Sequence, residues 1–458
     1  MPSASPAPPN ILFIMCDQLR HDWLGCAGAA HARTPNIDAI AARGVRFTQA
    51  CTNAPICAPA RIALATAMRP HRMGALDNHA FLPHCRPTYY QRLRDHGYHV
   101  GCTGKLDLGK PLGQNGSEGR RPLTYSWGFT HPLECEGKLH AGRGDPPNGP
   151  YTHWLQRERP DLYARFIADY RRRRAGGAAG VLAESAVPSG FCEDDFIARQ
   201  ACAALRGYTG EYPWHHFVSF VGPHDPYDPA PEYAARWQDA AMPAAIPCEA
   251  AGRPPRYIYP KAVSDQAILR SRRLYSAYLE QIDANIGAIL RTLDETGQAD
   301  RTCIVFASDH GDMLGDHGRW TKSCQYESAL RIPMIVAIPG AAPGVSEAQV
   351  ELIDLAATVC ELAGVGPMPD TDAISLLPVI TGRETSARQC TIAINRGAHA
   401  IRTRDWKLIA GDDGEHELYD LVADPQERCN LAAEQPKKVE ELYERFISEG
   451  WISGGYLR

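Results

Sequence analysis

Apolar runs that stop abruptly at polar residues recur along the chain. Residues 10–16 (Asn-Ile-Leu-Phe-Ile-Met-Cys) are apolar after the asparagine and end at Asp17-Gln18. A run without alternation and too short for a helix predicts a strand buried on both faces of a parallel sheet. Residues 98–102, 216–221, 301–308 and 333–338 repeat the pattern. The first three of these lead into Thr103-Gly104-Lys105, Gly222-Pro223-His224-Asp225-Pro226 and Asp309-His310-Gly311-Asp312. Helical spacing lies between them. Thr34-Pro35 opens a helix that Gly44 stops, and residues 87–96 form another, closed by Gly97. Residues 193–205, 264–297 and 350–363 also read as helices, with Leu269, Leu274, Tyr278, Ile282, Ile286 and Leu290 forming a core-facing stripe. Strands alternating with helices predict an α/β protein whose large, mostly parallel sheet is sandwiched by helices.

Two regions break this rhythm. Residues 110–190 are rich in Gly, Pro, Arg and Trp, with one helix expected over 161–173. They read as an insertion above the sheet, a lid or specificity region. From about residue 371 short strands take over, at 390–395, 398–402 and 406–409, and residues 437–448 form an amphipathic helix. The predicted organisation is an α/β domain over 1–370 and a small α+β subdomain over 371–458.

Composition narrows the picture in three places. A chain of 458 residues can bury one large core and a smaller one. The net charge of −5 and the single basic run, Arg171 to Arg174, exclude a nucleic-acid partner, and that run reads as a solvated helix end. Fifteen cysteines without CxxC spacing predict reduced thiols and a cytoplasmic location. The first nine residues lack the basic and apolar regions of a secretory signal, and no stretch predicts a membrane span. A homo-oligomer is left open.

The candidate chemistry centres on Cys57-Ala58-Pro59-Ala60-Arg61. The Ala-rich run from Ile62 favours helix, and Pro59 suits its first turn. Cys57 therefore belongs at a helix N-terminus, where free N–H groups and the helix dipole favour an anion, with Arg61 one turn in. Taken alone, such a cysteine is a small buried thiol. Asp17-Gln18 and Asp309-His310 each follow a buried strand, and α/β sheets place ligands at that edge.

Cys57-x-Pro59-x-Arg61 resembles the maturation signature of formylglycine-dependent sulfatases, and the further motifs follow in the family's order. The chain is identified as a member of that family, within the alkaline phosphatase superfamily, which also includes phosphonate monoester hydrolases. The resemblance implies an alkaline-phosphatase-like sheet and, at the C-terminus, an antiparallel sheet with one packing helix. It implies that a separate maturation enzyme oxidises Cys57 to formylglycine. It implies that Asp17, Gln18, Asp309 and His310, with residue 57, hold one divalent cation, Ca²⁺ by oxygen preference or Mn²⁺ through the imidazole. Arg61, Lys105 and Lys322 then contact the substrate anion, His224 protonates the leaving alcohol, and Asn78 faces the substrate. Asp107 replaces the histidine usual two residues after the lysine. It is able to accept a hydrogen bond from the hydrated aldehyde, and it repels an anionic substrate. The implied activity is hydrolysis of a small sulfate monoester. Gln18 and His310 are closer to the phosphonate hydrolases, so phosphonate monoester or phosphodiester hydrolysis at the same site is the alternative.

Overall fold

The computed structural model describes residues 8–113, 115–176, 182–248 and 264–450. Most of the N-terminal stretch read above, residues 177–181 of the 110–190 segment, and residues 451–458 lie outside the described residues.

The apolar runs do form the sheet. Its strands are β1 (Asn10–Cys16), β2 (Val45–Cys51), β3 (His99–Gly104), β4 (His131–Glu134), β5 (Trp214–Ser219), β6 (Thr302–Ser308), β7 (Met334–Ala337) and β8 (Gly344–Glu351). The order across the sheet is β4-β3-β5-β1-β6-β7-β2-β8. β7 runs antiparallel to β6 and β2, and the other neighbours pair in parallel. β1 shows why its sequence lacks alternation. Leu12 and Ile14 pack on one face with the helices Glu193–Gly207 and Asp265–Glu295. Ile11, Phe13 and Met15 pack on the other with the helices Cys57–Thr66 and Asp354–Leu362. Both faces are dry, so each position along the strand must be apolar.

A second, antiparallel sheet follows: β9 (Thr391–Asn395), β10 (Ala398–Arg402), β11 (Trp406–Gly411) and β12 (His416–Asp420), in the order β12-β11-β10-β9. The helix Pro436–Ser448 covers it with Leu442 and Phe446, which pack on Ile392, Ile401, Leu408 and Leu418. The large and small sheets meet through a buried charge cluster. The Glu327 carboxylate accepts hydrogen bonds at 3.0 Å from Arg402 Nε and from Lys407 Nζ. Lys407 also pairs with Glu427, and Tyr326 donates to Glu417 at 2.7 Å. Burial pushes the Glu327 carboxyl up, but Arg402, Lys407 and Arg331 outweigh it and hold the group well below the usual range.

The structure corrects four readings. Residues 350–363 are not one helix. β8 occupies Gly344–Glu351, and the helix starts only at Asp354. Val350 with Ile353, and Leu352 with Leu355, fall at helical spacing, but the parallel partner β2 claims the segment up to Glu351. Residues 110–190 do not all stand above the sheet. β4 joins its edge beside β3, and a helix at Pro150–Glu158 precedes the expected one, Pro160–Gly176. The helix expected over 87–96 begins at Tyr89, because Thr88 and Gln91 form a reciprocal capping box there. In the basic run, Arg173 is buried and its Nε donates to Asp169 at 2.6 Å, so the run is not wholly solvated.

Gly104 ends β3 at φ 111°, and a Cβ there would lie 1.9 Å from the carbonyl oxygen of Ser219. Only glycine allows this approach, which carries the next residue, Lys105, over the sheet edge. Gly104→Ala is expected to cost about 3 kcal/mol of stability, read as a lower urea midpoint at unchanged slope.

Candidate active site

Four adjacent parallel strands deliver the site. Read across the sheet as β3, β5, β1 and β6, their carboxyl ends lead into Lys105, His224, Asp17-Gln18 and Asp309-His310. Cys16 sits opposite Ser308 in the β1–β6 register, which brings the two acidic pairs side by side. The helix Cys57–Thr66 is buried along its whole length and ends at Ala67. Cys57 and Arg61 are four residues apart on one face of it, both directed at this edge.

Arg61 ties the carboxylates together. Its Nε donates to Asp309 Oδ2 at 2.7 Å and its Nη2 to Asp17 Oδ2 at 3.1 Å. Its Nη1 donates at 2.8 Å to both the Lys105 carbonyl and Ser219 Oγ. Lys105 Nζ pairs with Asp17 as well. Cys57 Sγ lies 3.1 Å from Lys322 Nζ, 3.2 Å from His310 Nε2 and 3.7 Å from Asp17 Oδ1. His310 Nδ1 donates to the Gly311 carbonyl at 3.0 Å, which directs Nε2 at residue 57. Gln18 adopts φ 67°, a strained value for this residue type. The turn lets its N–H donate to Asp309 Oδ1 at 3.0 Å, while its Oε1 accepts from Lys322 Nζ at 2.6 Å.

The electrostatics follow from this packing. Burial pushes the Asp17 carboxyl up, yet Lys105, His224, Lys322 and Arg61 hold it well below the usual carboxylate range. Burial and Asp17 push the Cys57 thiol up, but Lys105, Lys322 and Lys110 bring it well below the ordinary thiol value. The surroundings of residue 57 therefore favour negative charge. Burial pulls Lys322 down, and Cys57 and Asp17 raise it further, so it stays cationic.

The donor set fits a divalent cation. One ligand atom each from Asp17, residue 57, Asp309 and His310 lies within 4.8 Å of the others, all buried. The ammonium of Lys322 already sits among Cys57 Sγ, Gln18 Oε1 and, at 4.0 Å, Asp17 Oδ1, so these donors attract positive charge. Two carboxylates, an amide oxygen and an imidazole suit Ca²⁺ or Mn²⁺.

The other candidates take more particular places. His224 Nδ1 donates to the Asp225 carbonyl at 2.5 Å and lies 3.3 Å from the Asp225 carboxylate, leaving Nε2 for another partner. Asn78 Oδ1 accepts from the N–H of Ala58 at 3.0 Å, so this side chain caps the first turn of the Cys57 helix. Asp107 Oδ2 accepts from Lys110 Nζ at 2.8 Å and lies 3.1 Å from Lys105 Nζ. Four residues had no role in the sequence reading. Ser219 holds Arg61; Asp312 takes the Gln18 amide and the Tyr227 hydroxyl, the latter at 2.7 Å; Asp225 orients His224; Lys110 pairs with Asp107. Asp225 and Asp312 stand in the polar runs that end their strands, which was their available signal.

Comparison with known proteins identifies the family. Residues 9–365 match the sulfatase family, and residues 315–449 match the N-sulphoglucosamine sulphohydrolase C-terminal family. The choline-sulfatase of Rhizobium meliloti (strain 1021) is 31% identical over 94% of this chain and 83% of its own length. An arylsulfatase of Clostridium perfringens (strain 13 / Type A) is 27% identical over 96% of this chain and 94% of its own. The solved phosphonate monoester hydrolase of Agrobacterium radiobacter superposes with a TM-score of 0.79 at 22% identity, covering 96% of this chain and 95% of that one. With its Cys57 signature inside the matched region and its sheet of the alkaline-phosphatase type, the chain belongs to the sulfatase family and is a sulfuric ester hydrolase.

Proposed function

We propose that this enzyme hydrolyses small sulfate monoesters at residue 57, after a maturation enzyme has oxidised Cys57 to formylglycine. One observation carries the reading: residue 57 opens a buried helix with Lys322, His310 and Asp17 within 3.7 Å of its side chain. Hydrated formylglycine supplies one hydroxyl to attack sulfur and a second to expel sulfate afterwards. Asp17, Gln18, Asp309 and His310 would hold the divalent cation, which supplies Lewis acidity at the reacting oxygens. Arg61, Lys105 and Lys322 offset the charge that grows on the peripheral oxygens in the transition state. Arg61 is fixed by four hydrogen bonds and does not have to reorganise to do so. The Asp225 carbonyl holds His224 at Nδ1, and the imidazolium delivers a proton from Nε2 to the departing alcohol. Asn78 positions the residue 57 turn through Ala58, and Asp107 orients Lys105. The described cysteines are all unpaired, which supports a reducing, cytoplasmic setting. Among the described residues no helix is long and apolar enough to cross a membrane.

Phosphonate monoester or phosphodiester hydrolysis is the second reading, favoured by Gln18 beside Asp17 and by His310 beside Asp309, and compatible with Asp107 after Lys105. The deciding experiment uses matured enzyme, with formylglycine confirmed by mass spectrometry. Rates on an aryl sulfate, choline sulfate and an aryl phosphonate monoester are compared in Ca²⁺, in Mn²⁺ and in EDTA. Faster turnover of either sulfate, abolished by EDTA, is the expected result. Faster turnover of the phosphonate establishes the second reading, and undiminished activity in EDTA sinks the metal assignment. Across a series of aryl sulfates, His224→Ala is expected to slow poor leaving groups by about 10²–10³ and good ones far less. Equal losses across the series would remove His224 from the role of acid.

A further inference from the structure

We propose that Lys110 sets the net charge of the oxyanion pocket and so its preference between singly and doubly charged substrates. The proposal rests on the ester-hydrolase reading of this site. It starts from Asp107, an anion built into a pocket that must accept an anion. Asp107 is buried, with φ 56°, a conformation aspartate tolerates better than most residues. Burial pushes its carboxyl up, but Lys105, Lys110 and Arg61 hold it far below the usual range, so it is charged.

Lys105 alone does not neutralise it. The Lys105 ammonium already pairs with Asp17. Around residue 57 the carboxylates of Asp17, Asp107 and Asp309 face Arg61, Lys105 and Lys322, His310 Nε2 lies 3.6 Å from Asp309, and Asp225 faces His224. Lys110 adds a further cation at the rim of this set, held on Asp107. Its side chain is 15% exposed, and its Nζ reaches Asp107 Oδ2 at 2.8 Å from the start of the 110–190 segment. Nothing in the local sequence marks this role: a lysine five residues after Lys105 is otherwise an ordinary surface residue.

A fixed charge near the pocket acts on a bound anion in proportion to the anion's own charge. Losing Lys110 must therefore weaken a dianion more than a monoanion. The test uses the full-length Cys57 protein in saturating Ca²⁺, with binding of inorganic sulfate and of methyl sulfate read by calorimetry. Formylglycine is not needed for it. Lys110→Met keeps the aliphatic stem and removes the charge. It is expected to raise the Kd of the sulfate dianion roughly tenfold and that of methyl sulfate roughly threefold. Lys110→Arg is expected to keep wild-type values. Adding Asp107→Asn to Lys110→Met restores the pocket charge and is expected to bring both Kd values back to within about twofold of wild type. Melting curves confirm that each variant is folded. Equal weakening of both anions, or no weakening, overturns the proposal while the ester-hydrolase reading stands. Folded wild-type protein that binds neither anion overturns that reading itself.

Discussion

Cys57→Ala is expected to lower turnover by a factor on the order of 10⁵ or more while leaving the fold intact. The size of the loss follows from what residue 57 touches. Its side chain meets Lys322, His310 and Asp17, and these groups have work to do only if a reacting oxygen is attached there. The thiol contributes little to the apolar core, so the melting temperature should barely move. Cys57→Ser divides the possibilities further. Without maturation, serine offers one hydroxyl and lacks the second that expels sulfate. A single transfer from an aryl sulfate then leaves serine O-sulfate and releases the phenol. Intact mass spectrometry is expected to find that adduct accumulating with no steady-state rate. Steady turnover by unmatured Cys57→Ser, or residual activity in Cys57→Ala near the wild-type level, would show that residue 57 is not the nucleophile.

Arg61→Met is expected to cost about 3–5 kcal/mol of stability in EDTA and clearly less in saturating Ca²⁺ or Mn²⁺. Arg61 is 2% exposed and bonds to both Asp17 and Asp309. Without it, two buried carboxylates stand close together, with Lys105, His224 and Lys322 left to offset their charge. A divalent cation held by the same carboxylates restores part of the balance, so the variant should gain more from metal than the wild type does. Equal losses with and without metal would separate these carboxylates from cation binding. The same variant should also be more acid-sensitive. Asp17 has its folded pKa depressed, so its contribution is complete above the unfolded value of about 3.9 and is lost as pH falls through the folded one. Removing Arg61 raises that folded value and moves the loss to higher pH. kcat/KM on an aryl sulfate is expected to fall about 10³-fold, since Arg61 also balances transition-state charge.

Much of the site lay in short stretches of sequence because its parts are local. A strand buried on both faces must be apolar throughout, so the first polar residues after it announce the sheet edge. Asp17-Gln18, Lys105, His224 and Asp309-His310 all stand there. Cys57 and Arg61 share a helix face by spacing alone. What escaped is long-range. Arg61 meets Ser219, which lies 158 residues away, and Gln18 meets Asp312, 294 residues away. No local pattern encodes either partner. The end of β8 was hidden because Val350 with Ile353, and Leu352 with Leu355, fall at helical spacing, and pairing with β2 up to Glu351 decides against a helix there. β4 is four residues long and contains Pro132, which only an edge strand tolerates.

The Glu327 cluster also bears on how sulfatases can be recombined. Glu327 belongs to the large sheet's side of the boundary, and Arg402, Lys407 and Glu427 belong to the small sheet's side. Removing one member strands a charge inside the protein, at a cost of about 3–5 kcal/mol. A chimera that takes its C-terminal sheet from a relative with a different charge pattern inherits that defect at the junction. Crossovers after residue 371 split the set, so they are tolerated only when the incoming sheet carries the same partners for Glu327, or when apolar residues replace all members on both sides.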